Sequence, residues 1–142
     1  MPQWTADMTE LSHQLPFLTD SPSIVGDGPP IDVGHLARMS LGERSLEFQV
    51  LELFDRQAEL LLDRMREVAP AEIASLAHTL TGSARGVGAW RVAAAAEALE
   101  CAIAQTRELA PALETLDTAV IEARLAICAM LRIAARTSAA RN

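Results

Sequence analysis

Ala77-His78-Thr79-Leu80-Thr81-Gly82-Ser83-Ala84-Arg85-Gly86-Val87-Gly88-Ala89 is the stretch from which the fold and the chemistry of this chain can both be approached. Wound as an α-helix at about 100° per residue, it and the turn before it gather Ile73, Leu76, Ala77, Leu80, Ala84 and Val87 into one apolar arc roughly 100° wide. His78 then falls about 150° from the centre of that arc and points into water. Its neighbours one and two turns away are Ala71, Ala74, Ser75, Thr81, Gly82 and Arg85, nearly all of them small. A surface of that kind lets another protein come close to the imidazole. Gly82 costs the helix about 1 kcal/mol relative to alanine, which suggests a use for its missing side chain.

Outside this stretch the composition is that of a helical bundle. The 142 residues suffice for one domain with a real core and are too few for two comfortable ones. Apolar residues make up 50%, aromatics only 4%, tyrosine is absent, and Ala, Leu and Glu abound, a mixture suited to helices rather than sheets. A net charge of −7 argues against a nucleic-acid partner, since no basic excess exists to neutralise phosphates. No apolar run approaches a membrane span. Met1-Pro2-Gln3-Trp4 lacks the basic start and apolar core of a signal peptide, so the expected compartment is the cytoplasm. Cys101 and Cys128 stand alone on helical segments, the first expected near a polar face and the second nearer the core. No Cys/His spacing suggests a metal site.

Taken in order, residues 1–30 read as a segment and linker. Trp4, Met8, Leu11, Leu15 and Leu18 keep a 4-3-4-3 spacing, one apolar stripe on a helix that could run from Pro2 or Thr5 to Leu15, where Pro16 stops it. Ser21-Pro22-Ser23 and Gly26-Asp27-Gly28-Pro29-Pro30 follow as turn-formers. The segment is either a tail laid on the bundle or a docking element for another chain.

Residues 31–137 then form the bundle, and 138–142 a fraying tail. Asp32 caps a short helix over Val33 to Met39, ended by Ser40-Leu41-Gly42. A long helix from about Gly42 to Val68 carries Val50, Leu51, Phe54, Ala58, Leu61, Met65 and Val68 inward. Leu46, Leu53 and Leu60 repeat on its shoulder and either widen the core face or present an apolar patch to a partner or a second copy. Pro70 opens the helix of His78, which stops near Gly86 or Gly88. The next helix covers about Ala89 to Leu109, and Pro111 opens the last, continuing to about Arg136. The expected fold is therefore all-α: an antiparallel four-helix bundle with a short extra N-terminal helix.

The run His78-Thr79-Leu80-Thr81-Gly82-Ser83-Ala84, with glycine four residues after histidine, resembles the phosphorylation motif of histidine-containing phosphotransfer (HPt) domains. The resemblance covers roughly Ile31 to Arg136 and draws its specificity from residues 77–89. It implies that His78 accepts a phosphoryl group from a receiver-domain aspartate and passes it to another receiver. It also implies response-regulator receiver domains as partners, with a hybrid histidine kinase as a further candidate, and Mg²⁺ in the receiver rather than in this chain. No metal or other cofactor is expected here. One departure stands out: the family usually has Lys three residues after the histidine, and this chain has Thr81.

The chemistry fits the residue type. Imidazole is partly neutral near pH 7 and nucleophilic, and its N–P bond is labile enough to pass the group on. Transfer of this kind rests on positioning and charge stabilisation. Thr81 offers a hydroxyl where the family offers an ammonium, so positive charge falls to Arg85, two turns on, with Arg91 a weaker candidate. Ser83 joins Thr81 and Arg85 as a supporting residue, and Ala74, Ser75 and Gly82 form the expected docking surface. The chain shows no Walker-type loop and no Gly-rich kinase motif, so it is expected to carry phosphoryl groups without a kinase site of its own. The alternative is an adaptor that binds a receiver or another signalling partner without phosphorylation. His13 and His35 are expected to be surface or packing residues. A monomer is favoured over a dimer.

Overall fold

A computed structural model describes residues 28–141. The stripe from Trp4 to Leu18, with His13, lies outside the described residues. Among the described residues every regular element is a helix: α1 (Val33–Met39), α2 (Arg44–Met65), α3 (Pro70–Val87), α4 (Trp90–Ala104) and α5 (Ala110–Arg141).

Local chemistry sets these ends. The Asp32 carboxylate accepts the His35 backbone N–H at 3.1 Å and so caps α1. Leu41 and Gly42, both at positive φ, turn the chain after it. Pro70 opens α3, and Gly88 in the left-handed region closes it, with the Ala89 N–H donating to the Ala84 carbonyl at 2.8 Å. Three boundaries differ from expectation, the first being the end of α2 at Met65 rather than Val68, where the Glu67 N–H turns back to the Arg64 carbonyl at 3.0 Å. α4 ends at Ala104 rather than Leu109, because Thr106 enters the left-handed region and the Arg107 N–H turns back to the Ala102 carbonyl at 2.8 Å. α5 passes Arg136 and reaches Arg141, since Thr137-Ser138-Ala139-Ala140 contains neither glycine nor proline to stop it.

Helix α3 is the centre of the packing. It lies against α2 and α4, α4 lies against α5, and α5 returns to α2, while α1 covers one end of α2 and α3. Leu51, Phe54 and Met65 of α2 meet Leu80 of α3, Val92 and Leu99 of α4, and Leu116, Val120 and Ile127 of α5 in one buried cluster. Ala77 and Ala84 on α3, with Ala93 and Ala96 on α4, are buried without bulk, consistent with the extensive α3–α4 contact. Across the far side, Arg124 donates to Asp55 at 2.8 Å and to Glu59 at 3.2 Å, tying α5 to α2.

Three expectations about the core are corrected. Leu46, Leu53 and Leu60 do not widen it: they are 39%, 64% and 65% exposed. A seven-residue repeat drifts only about 20° per step on a straight helix, so the three stay on one flank that no described helix covers. Leu62, not singled out in the sequence, is buried, while Val50, Leu61 and Val68 are only partly so. Cys128 is exposed rather than near the core, one residue past the buried Ile127 and about 100° around the helix from it.

One polar node fixes α1 to the α3–α4 turn. The Trp90 indole N–H donates to Asp32 Oδ2 at 2.9 Å, and the Asp32 backbone N–H donates to the Gly88 carbonyl at 2.8 Å. The indole and the His35 N–H together hold the Asp32 carboxyl below its usual range. His35 packs edge-on against Trp90 with ring centroids 4.8 Å apart, a packing role as expected. No described helix is long and apolar enough to cross a membrane.

Candidate functional site

The arc predicted for α3 is the buried one. Ile73, Ala77, Leu80, Ala84 and Val87 are buried, with Leu76 half-buried at the edge. His78 projects from the opposite side with its side chain 81% exposed. Its Nδ1 lies 3.2 Å from Oε1 of Glu100 on α4. A carboxylate can only accept, so the neutral ring carries its proton on Nδ1 and leaves the Nε2 lone pair free toward solvent. Orientation of an imidazole through its other nitrogen is the usual device for presenting one ring atom to chemistry.

Glu100 is the site residue that sequence reasoning missed. A signal for it existed. The chain turns at Gly88–Ala89, so residues equally far from Ala89 face each other across α3 and α4, and Glu100 is the counterpart of His78. What hid it was the need to know that these two helices fold back on one another.

The expected supporting residues are dispersed. Thr81 is buried, and its hydroxyl donates to the Ala77 carbonyl at 3.0 Å. The expectation that this hydroxyl is offered at the surface is corrected: α4 covers that flank of α3, and a threonine there satisfies its hydroxyl on the preceding turn. Ser83 sits about 140° around the helix from His78. It lines a different feature, a cleft of about 310 Å³ shared with Leu36, Val50, Leu53, Phe54 and Val87. Arg85 is exposed on the same side as His78 and forms an ion pair with Glu97 of α4. Arg91 turns away to Glu122 of α5, at 2.8 Å, and is removed from the site.

The face expected to dock a partner is open. Ser75 and Gly82 are exposed and Ala74 is half-buried. A methyl group added at Gly82 would meet nothing within 4 Å, so no contact among the described residues requires glycine there. Gly82→Ala is therefore expected to stabilise the fold by about 0.5–1 kcal/mol in urea unfolding. The same variant is expected to bind a partner at this face more weakly, because the methyl stands where a partner surface would close on α3. Unchanged partner affinity in a titration would assign the glycine no part in docking. Among the described residues no three His, Cys, Asp or Glu side chains come together as a metal site.

Among the described residues, these features are those of an all-helical fold that presents a solvent-facing imidazole, paired with a carboxylate, from the middle of a well-anchored helix. The family model of the Hpt domain matches residues 49–137, more than half of the chain, and the chain belongs to that family. Hpt domains serve histidine phosphotransfer in two-component phosphorelays, as phosphocarriers rather than kinases, and typically interact with receiver domains. No curated protein and no solved structure matches the chain.

Proposed function

We propose that His78 is the phosphoryl acceptor and donor of this chain, taking the group on Nε2 from a receiver aspartate and passing it to another receiver. The observation that carries this reading is the 3.2 Å contact from Nδ1 to Glu100 on an otherwise exposed ring. In the forward step the Nε2 lone pair forms an N–P bond as the P–O bond of the aspartyl phosphate breaks and the carboxylate leaves. Nδ1 keeps its proton, so the phosphorylated ring gains positive charge, and the Glu100 carboxylate lies where that charge develops. In the reverse step the same carboxylate steadies the ring as the N–P bond breaks.

Arg85 is the cation nearest in role to the lysine that Thr81 replaces. Its pair with Glu97 is exposed on both sides, and such pairs contribute only about 0–1 kcal/mol. Release toward phosphoryl oxygens is therefore inexpensive, and helical side chains lean toward the N-terminal turn where His78 stands. Mg²⁺ belongs to the receiver in this scheme. Residues 31–137 act as the phosphotransfer unit, an antiparallel four-helix bundle with the short α1 added, working as a cytoplasmic monomer. Ala74, Ser75 and Gly82 form the surface on which the receiver sits.

Glu100→Ala is expected to slow phosphoryl transfer about tenfold, the lower end of what loss of an orienting partner costs elsewhere. Glu100 is partly exposed, so the fold should hold. Single-turnover transfer rates check this, and a rate equal to the parent's would remove Glu100 from the mechanism.

The deciding experiment incubates the full chain with Mg²⁺ and phosphorylated receiver domains from the same cell. Acid-labile, base-stable label should appear on the chain. A second reading, a phosphorylation-independent adaptor, draws on the burial of Thr81, which leaves neither ammonium nor free hydroxyl at that position. Receiver binding without any label on the chain would favour it.

A further inference from the structure

Helix α5 carries two stripes on different sides. Leu116, Val120, Ala123 and Ile127 keep a 4-3-4 spacing and are buried in the core. About 150° around the helix, Glu114, Thr118, Ile121, Leu125, Cys128 and Arg132 keep a 4-3-4-3-4 spacing and are all exposed. Ile121 and Leu125, at the middle of that outer stripe, are 50% and 66% exposed, large apolar side chains that no described helix covers. The spacing is that of a coiled-coil seam, along which one helix meets another. This seam is apolar at its centre and oppositely charged at its two ends. Among the described residues neither Glu114 nor Arg132 joins an ion pair.

We infer that the occupant of this seam is a second copy of the same chain, its α5 lying antiparallel on the first. The order of charges selects both the occupant and the direction. The register that lays Ile121 on Leu125 of the second copy also lays Thr118 on Cys128, three residues further out on each helix. Four residues beyond that it lays Glu114 on Arg132. Two-fold symmetry repeats every contact, so four apolar side chains close the centre and a Glu114–Arg132 pair closes each end. A parallel pair in register would set Glu114 on Glu114 and Arg132 on Arg132, like charge against like. The contact runs along about 27 Å of helix. One helix face of that length makes a small, reversible interface rather than an obligate one.

Pairing leaves the phosphotransfer site alone. Among the described residues α3 packs on α1, α2 and α4 and does not touch α5. Both imidazoles therefore stay open, and the single chain remains the unit that transfers.

Sedimentation equilibrium on the full chain tests the pairing, at about 0.15 M salt to screen the net charge of −7 on each copy. The parent mass should rise from one chain toward two between about 5 and 500 µM, the range of a small interface. Arg132→Glu sets carboxylate against carboxylate at both ends and should weaken pairing about tenfold, as should Glu114→Arg. The two substitutions together should restore it. Both positions are exposed, so circular dichroism should show the parent fold in every variant. Oxidation tests the register in a Cys101→Ser background. Thr118→Cys should join the native Cys128 of the second copy in a covalent dimer. Chains with Cys128 alone should stay single, because the two Cys128 residues lie about 15 Å apart along the seam, beyond the roughly 7 Å that a disulfide spans. A monomer at every concentration overturns the inference, as does a dimer indifferent to Arg132→Glu, which would place the contact on another face. Failure of the double exchange to restore pairing, no cross-link through Thr118→Cys, or a disulfide between two Cys128 residues also overturns it, the last by making the pair parallel.

Discussion

Full-length protein carrying His78→Gln is expected to take up no phosphoryl label from a phosphorylated receiver, while keeping the helical content and unfolding midpoint of the parent. The two halves of that expectation have separate causes. Glutamine has an amide of roughly imidazole reach but no lone pair able to displace a carboxylate from phosphorus, so transfer ends rather than slows. Stability is spared because the ring is 81% exposed and its polar contact is with a surface carboxylate. Surface changes of that kind stay within about 0.5 kcal/mol. The pairing matters: loss of label together with loss of fold would say nothing of chemistry, whereas persistent label on a folded His78→Gln chain would place the phosphoryl group on another residue. The receiver should still bind the variant, because Ser75 and Gly82 are untouched. Binding by calorimetry alongside transfer by label separates the docking face from the nucleophile.

The largest expected loss of stability comes from a single methyl group at Gly88. Its φ of 80° lies in the left-handed region, which costs a residue with a Cβ about 1–2 kcal/mol. The added carbon would also stand 2.9 Å from the Asp32 carbonyl oxygen and 3.0 Å from Asp32 Cβ, neither of them the free end of a flexible side chain. The beginning of α1 must therefore move. That strains the Asp32 N–H bond to the Gly88 carbonyl and the Trp90 indole bond to the Asp32 carboxylate. Strain, overpacking and disturbed hydrogen bonds together come to about 3–5 kcal/mol, a large part of the roughly 5–15 kcal/mol that holds a domain folded. Gly86→Ala is the matched control, since Gly86 is helical and a methyl there meets nothing within 4 Å. Urea titrations followed by circular dichroism should separate the two variants by several kcal/mol. A difference under about 1 kcal/mol would mean that α1 is not held at this point.

His78 and Gly88 sit on either side of the line between what the chain states locally and what folding adds. The outward direction of His78, the burial of Ile73, Ala77, Leu80, Ala84 and Val87, and the stop at Gly88 follow from helical periodicity and from glycine's backbone freedom, both properties of neighbours in sequence. The Asp32 cap and the Pro70 start are equally local. Leu53 and Cys128 were harder to place, because a residue on the shoulder of a helix is buried or exposed according to whether another helix covers that flank.

Sequence alone determined a helical bundle with His78 turned outward among small residues, and the motif that places it in its family. Only the tertiary structure decided which charges meet at that histidine. Folding α4 back along α3 brought Glu100 to Nδ1, paired Arg85 with Glu97, drew Arg91 off to Glu122 and buried Thr81. Helical periodicity fixes the direction of a side chain from its own neighbours, within one or two turns. An ion pair or a covered flank depends on residues far away in the chain, and those become neighbours only when helices pack.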